Sequence, residues 1–384
     1  TTGGEVELKL PASSSVGDKI AIMDFAGTFS TNKIRINLNG QKLNGSTNPS
    51  SGAGATNYVA IDTANTRVEL VFSDSEKGWV VFVNEAKTSP TGDPFVSFHS
   101  ATGGTVTTSG DYKIHSFTGD SNFVVSSVGN ADGSKASYIV VAGGGGGGKC
   151  RSGGGGAGGF REGKQSDDPY SDSPLDAGDG LTLTATTFPI TVGAGGAGST
   201  SNSAQGSDGS NSVFSTITSA GGGGGGSDSG TPINPGRNGG SGGGGANSRP
   251  GGTGNTPPVS PPQGNNGGTS ASGSGGAGGG GATAVGANMP GPSVGGAGGA
   301  GATTCITGSP VAYAGGGGGG SGAGAGGAAG SSTGGCGRGN GTPNCAGGSG
   351  TANRGGGGGG TSEPGSGGGG AGGKGVVIIR YRVA

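Results

Sequence analysis

Residues 138–148 read Tyr-Ile-Val-Val-Ala-Gly-Gly-Gly-Gly-Gly-Gly, an apolar strand-like run that passes directly into six consecutive glycines. Further six-glycine runs stand at 221–226, 315–320 and 355–360, and four-glycine runs at 153–156, 242–245, 278–281 and 367–370. Ala142, Ala220 and Ala314 each lead directly into a six-glycine run. Uniform blocks separated by variable spacers predict one structural element used many times. The element cannot be collagen, which needs glycine at every third position and abundant proline. Nor does a flexible linker fit, because linkers rarely run this long or reset with the same block. The blocks instead predict glycine helices of the polyproline II type, with three residues per turn and about 3.1 Å rise. Such a helix has no internal hydrogen bonds, so every N–H and C=O must be satisfied by a neighbouring helix.

Working outward, Val376–Tyr381 reads as a strand beyond the last glycine block, and Tyr138–Val141 reads as one before the first. Pairing of the two would tie down both ends of an entropically expensive region. Upstream, Tyr112–Phe117 and Asn122–Ser127 are also strand-like. Residues 88–110, rich in Thr, Ser, Gly and Pro, read as a linker. Residues 1–87 carry alternating runs such as Val6-Glu7-Leu8-Lys9-Leu10 and Ile34-Arg35-Ile36-Asn37-Leu38 between turn signals such as Asn39-Gly40, which predicts a small β domain. Trp79 is expected as its core anchor. The expected organisation is therefore 1–87 β domain, 88–110 linker, 111–141 basal strands, 142–375 polyglycine II region and 376–384 closing strand, with essentially no α-helix.

Composition bounds the function. Of 384 residues 105 are glycine, most of them after residue 138, and only 28% are hydrophobic against the usual 45–50%. Net charge is −1 and charged residues make up 11% of the chain, which speaks against a nucleic-acid binder. Apolar runs such as Val376–Ile379 are far too short to cross a bilayer, so membrane insertion is not expected. The chain starts at Thr1, which fits a processed chain or a fragment. Four cysteines, Cys150, Cys305, Cys336 and Cys345, suit two disulfides in an oxidising compartment, with Cys336–Cys345 the nearest local pair. Their spacing lacks the close pairs of a zinc site.

Three motifs, Tyr138–Ala142 with its glycine run, Ile190-Thr-Val-Gly-Ala-Gly-Gly-Ala-Gly198, and Gly-Gly-Lys-Gly-Val-Val-Ile-Ile-Arg-Tyr381, resemble in order the glycine-rich domains of phage tail fibre and other virion proteins. Gly110-Asp-Tyr-Lys-Ile-His-Ser-Phe-Thr118 resembles the strand that opens them. The resemblance covers roughly residues 110–384 and implies an adhesin-like protein. There a sandwich of polyglycine helices presents loops to a receptor on a bacterial surface, protein or glycan, and the chain joins other fibre or virion proteins. Homotrimers and homopolymers are the candidate assemblies, at the virion surface or otherwise outside the cell. A structural subunit of an extracellular filament or a capsid decoration is the alternative, and a lectin-like carbohydrate binder is a third reading.

On this reading the spacers 160–180, 199–212, 227–241, 246–272, 284–295 and 331–353 are the contact loops. Phe160, Arg161, Tyr170, Arg237, Arg249, Arg338 and Arg354 are their candidate anchors, since Tyr and Arg are favoured at binding hot spots. Phe160 and Tyr313 read equally as caps on glycine helices. Asp167, Asp168, Asp172, Asp176 and Asp179 form an acidic stretch that could collect oxygen ligands for Ca²⁺, but without the spacing of a calcium loop; a solvated loop is the stronger expectation. Only two histidines exist, His99 and His115, with no nucleophile placed beside them, so neither enzymatic activity nor a cofactor is expected.

Overall fold

The computed structural model describes residues 6–24, 27–47, 58–61, 66–85, 98–129, 134–228, 234–291, 294–339, 347–362 and 367–383. The chain divides into two compact units, Thr1–Phe95 and Val96–Ala384. Among the described residues there is no α-helix, and a 3₁₀ turn lies at Gly330–Ser332. The fold is all-β in this sense, as the sequence predicts.

The first unit contains β1 (Val6–Lys9), β2 (Lys19–Met23), β3 (Ile34–Asn37), β4 (Tyr58–Ile61), β5 (Thr66–Asp74) and β6 (Gly78–Glu85). They form two three-stranded sheets, ordered β1-β3-β4 and β2-β5-β6. Alternation along β5 sends Val68, Leu70 and Phe72 inward, where they join Leu10, Ile36, Leu38 and Trp79. Trp79 is fully buried and meets Phe72 edge-on at 5.6 Å, which is the anchor role its strand neighbours predict.

The second unit starts earlier than the sequence reading places it. Residues 100–109, expected as linker, form β7 (Ser100–Thr102) and β8 (Thr105–Ser109), because β-branched Thr and Val favour a pleated strand and Gly110, at φ 57°, supplies the hairpin turn. Then come β9 (Tyr112–Phe117), β10 (Ser121–Ser127), β11 (Lys135–Val141), β12 (Phe160–Gly163), β13 (Leu181–Thr182), β14 (Thr187–Thr191), β15 (Ser212–Phe214), β16 (Ile217–Ser219), β17 (Ala302–Thr304), β18 (Val311–Tyr313) and β19 (Val376–Arg382). One sheet runs β12-β11-β19-β9-β8, with β13 also on β11; another runs β16-β15-β14-β10-β7. β11 and β19 pair antiparallel, Val140 opposite Val377, so the two ends of the glycine region meet in one sheet. Both faces of that sheet are covered. Tyr138, Val140, Val377 and Ile379 pack with Phe123, Phe188 and Phe214 on one side, whereas Ile139, Val141, Val376 and Ile378 pack with Phe160, Ile306 and Tyr313 on the other. Two-sided burial explains why β11 and β19 read as continuous apolar runs instead of alternating ones.

At Gly143 the chain leaves the sheet. The N–H groups of Gly143 and Gly146 donate to Ser210 and Ser207, those of Gly144 and Gly147 to Gly373 and Gly370, and those of Gly145 and Gly148 to Gly156 and Gly153, all at 2.8–3.0 Å. Carbonyls of the same run accept from Gly222 and Gly225, from Gly196 and Ser199, and from Gly358. A partner that changes at each residue and returns at every third is the pattern of a helix with three residues per turn. The run thus has six neighbours.

Segment 153–159 lies on the axis of the lattice. It donates to Gly226, Ala277 and Gly358 and accepts from Gly148, Gly244 and Gly317. Its six neighbours are therefore 142–148, 220–226, 241–246, 276–282, 314–320 and 355–360, which also bond to one another in a closed ring. Outside them lie 193–199, 206–212, 236–240, 249–255, 264–270, 284–289, 295–300, 326–330, 333–338, 347–351 and 369–375. The helices thus pack as a hexagonal array, in which 153–159 and 142–148 are each surrounded on six sides. Most of the expected spacers are thus outer helices and not free loops. On the outer helix 193–199 glycine is needed wherever a neighbouring helix lies against it: a methyl carbon at Gly193, Gly195, Gly196 or Gly198 would meet a carbonyl oxygen, while Ala194 and Ala197 are exposed.

Space, not backbone conformation, demands glycine in the interior. In the axial segment and its ring only Ala314 and Gly355, at segment starts, have positive φ. A methyl carbon added to Gly144, Gly145, Gly154 or Gly155 would fall within 3 Å of a neighbour's carbonyl oxygen. Backbone on every side leaves nothing flexible to yield. We therefore expect Gly155→Ala to lower stability by about 3 kcal/mol or more and Ala197→Ser to change it by less than about 0.5 kcal/mol; thermal unfolding of the two variants checks the contrast.

Candidate functional site

Chain direction sorts the connections of the second unit into two groups. Segments 142–148, 193–199, 220–226, 241–246, 314–320 and 355–360 run away from the sheets, while 153–159, 206–212, 249–255, 276–282 and 369–375 run back, as their hydrogen-bond registers require. Strands β12, β15 to β18 and β19 therefore lie at the sheet end. Turns 149–152, 200–205, 247–248, 271–275 and 321–325, with the flanks Ser227-Asp228, Asn234-Pro235 and Thr361-Ser362, gather at the far end.

These turns are laced to one another. The N–H of Cys150 donates to Thr361 Oγ1 at 3.0 Å, and the N–H of Thr361 donates to Ser152 Oγ at 3.1 Å. Arg151 pairs with Asp228 at 2.8 Å, and Asn247 Nδ2 donates to the Asp228 carbonyl at 2.8 Å. Lys149 Nζ reaches Thr200 O at 3.2 Å, Gln205 Nε2 reaches Pro235 O at 2.6 Å, and Asn234 Nδ2 reaches Ser203 O at 3.3 Å. Cys150, Arg151, Asn247 and Ser248 all hold positive φ, between 43° and 67°, a strained conformation for residues with a Cβ. The cross-links hold that strain in place and leave a rigid face of hydroxyl, amide and guanidinium groups.

The sequence candidates divide between the two ends. Arg237 and Arg249 are exposed towards the far end, Arg237 held by Asp208 at 2.8 Å. Arg338 is there too, but only 6% exposed. The others sit at the sheet end. Phe160 is 1% exposed and packs on Tyr313 with ring centroids 6.4 Å apart, each ring at the basal end of a glycine helix, as caps would be. Tyr170 is 7% exposed, Arg161 is half-buried on β12, and Arg354 is half-buried over the Tyr313 ring at 4.9 Å. Phe160 and Tyr170 are core residues rather than contact residues, because the second face of the sheet supplies an apolar core beneath them. The far-end hydroxyl and amide turns carry no motif; only the direction of each helix shows that they converge.

The acidic stretch does not converge on a cation. Asp168 pairs with Arg380 at 2.9 Å, Asp172 with Lys164 at 2.9 Å and Asp179 with Lys135, while Asp176 accepts from the Lys164 N–H at 2.8 Å and Asp167 is exposed. Among the described residues no three His, Cys, Asp or Glu side chains are grouped to hold a metal ion. Cys150, Cys305 and Cys336 are free thiols. Cys150 lies at the far end and Cys305 follows β17 at the sheet end, about 20 Å away along a seven-residue helix, beyond the reach of a disulfide. Cys345 lies outside the described residues. His115 donates from Nδ1 to the Gly103 carbonyl at 2.7 Å, so its Nε2 accepts from Tyr381 Oη at 3.0 Å. Burial lowers the pKa of both His115 and His99, which favours neutral rings packed in the core.

Two buried acids pin residues 164–180 onto the sheet. Asp168 accepts from Arg380 and from Ser137 Oγ at 2.9 Å, with the Arg380 guanidinium over the Tyr112 ring at 4.3 Å. Glu162 accepts from Tyr170 Oη, the Ser173 N–H and Thr304 Oγ1. Burial, partly offset by the Ser173 and Thr304 hydrogen bonds, raises the Glu162 pKa. The folded chain then holds this proton more tightly than the unfolded chain does. Its stabilising effect is full below the unfolded value and is lost as pH rises through the folded one. Melting temperatures of wild type and Glu162→Gln measured from pH 7 to pH 5 should therefore diverge in favour of wild type as pH falls; a constant difference would contradict a raised pKa.

A search of curated proteins finds no match to this chain. Residues 118–382 match the family model described as a glycine-rich domain. The match begins in the strands that carry the lattice and ends in β19, which closes it, and on that span the chain belongs to the glycine-rich domain family.

Proposed function

We propose that this chain is a non-enzymatic viral fibre or adhesin protein, displayed at the virion surface, that binds a receptor on a bacterial cell through the far-end turns. One observation carries the reading: turns of unrelated sequence, among them Thr200–Gln205, Asn247-Ser248 and Ala271–Gly275, are gathered at one end of a side-chain-free lattice. Apart from buried Ser152 and Thr361, whose hydroxyls bond to backbone where helices turn, a scaffold held by backbone hydrogen bonds places few demands on what its turns contain. It can therefore keep its shape while its recognition surface changes. Cross-linked turns also lose little conformational entropy on binding, which favours affinity. Their Ser, Thr, Asn and Arg side chains suit a polar partner, a surface glycan or a hydrophilic protein loop. Arg237 and Arg249 are the anchors in this reading; Phe160 and Tyr170 have no part in it.

Replacement of 200–205 and 247–248 by Gly-Ser sequences of equal length should abolish adsorption of the parent particle to its host and leave the melting temperature within a few degrees of wild type. Arg249→Ala should weaken receptor binding by about tenfold, the cost of truncating one arginine anchor. Unchanged adsorption with both turns exchanged would overturn the reading and leave that of a structural subunit.

A further inference from the structure

Sheet edges expose unpaired N–H and C=O groups, and proteins blunt them with short strands, charge or cover. Most edges of this chain follow that rule. In the second unit β7, β16, β17 and β18 are three residues long, and β12 lies beneath residues 164–180, with Glu162 bridged to Asp176. In the first unit β1 carries Glu7 and Lys9, β2 carries Lys19, β4 is four residues long, and the outer edge of β6 is covered at Trp79 and Val81 by bonds to Lys42 and Asn44. β8 breaks the rule. Thr105-Val-Thr-Thr-Ser109 is five residues long, uncharged, free of proline, rich in β-formers and exposed from Thr105 to Thr108, with Val106 46% exposed.

The hairpin fixes which backbone groups are free. Gly110 and Asp111 make a two-residue turn, so Ser109 and Tyr112 form its closing pair and exchange both hydrogen bonds. Alternation then binds Thr107 and Thr105 to β9 and turns the N–H and C=O of Val106 and Thr108 outward.

We infer that β8 is the seam at which two copies of this chain join, by antiparallel pairing of β8 with β8 across a two-fold axis at Thr107. In that register Val106 of each copy lies opposite Thr108 of the other, so the four outward donors and four outward acceptors of the two strands form four hydrogen bonds. Thr107 faces its own symmetry mate, and Thr–Thr is a favourable cross-strand pair. A strand with charges would meet like charge on self-pairing; this one has none. A closed two-fold dimer also covers both edges at once, which leaves nothing to propagate.

Sedimentation velocity on the full chain over a concentration series tests the seam. We expect a reversible dimer, and Val106→Pro and Val106→Lys should each raise its dissociation constant at least tenfold. Proline at 106 removes only an outward donor, so the β8–β9 ladder and the melting temperature should be kept. Thr107→Cys should yield a disulfide-linked dimer on a non-reducing gel under mild oxidation, where wild type, with its own thiols, does not. A monomer at every concentration, or a dimer insensitive to both Val106 variants, overturns the inference.

Discussion

Backbone lying directly against backbone is the interaction on which the second unit depends. The axial segment 153–159 reaches its six neighbours through peptide N–H and C=O groups alone. Each such bond is worth only about 0.5–1.5 kcal/mol net, and glycine loses more conformational freedom on ordering than any other residue. The lattice is therefore stable only as an extended cooperative array. The same closeness makes it specific, since a side chain at an interior position has nowhere to go.

An array of this kind has no internal means of choosing its ends, and the sheets supply one. β11 delivers the chain into the lattice, β19 receives it, and their direct pairing fixes the starting height of the first and last helices. Apolar side chains cluster at this end, on either face of the sheet. Buried Glu162, Asp168 and Arg380 hold residues 164–180 against it. The unit thus pairs an oil-filled base with a lattice held by hydrogen bonds, and variable sequence is tolerated where the lattice turns back at the opposite end. Polar and charged side chains in those turns bond mainly to each other and to neighbouring backbone, so their identity bears little on the interior.

Much of this was legible in the amino-acid order. Six-glycine runs repeated behind alanine pointed to a three-residue helix in a packed array, the runs at 138–141 and 376–381 to strands that close it, and alternation in residues 1–87 to a small β domain around Trp79. Local physics governs each of these: a glycine block can pack only through its backbone, and a run of β-branched residues favours a strand whatever surrounds it. Residues 100–109 were missed because Thr-rich strands and Thr-rich linkers have the same composition, and only pairing with β9 and β10 separates them.

Tertiary structure alone decided the rest. Which helices surround which, and that they pack as a hexagonal array, depends on partners far apart in sequence, such as Gly155 and Gly358, and identical glycine blocks carry no label naming a partner. Burial of Phe160 and Tyr170 could not be read locally, because the core that covers them is assembled from β11, β18 and β19 together. The gathering of unrelated turns at one end follows from the alternating direction of successive helices, a property of the assembled lattice and of no single segment. Sequence determined what each piece of chain is able to be, through its side chains or their absence; the fold determined where each piece stands, because position is set by contacts between distant residues.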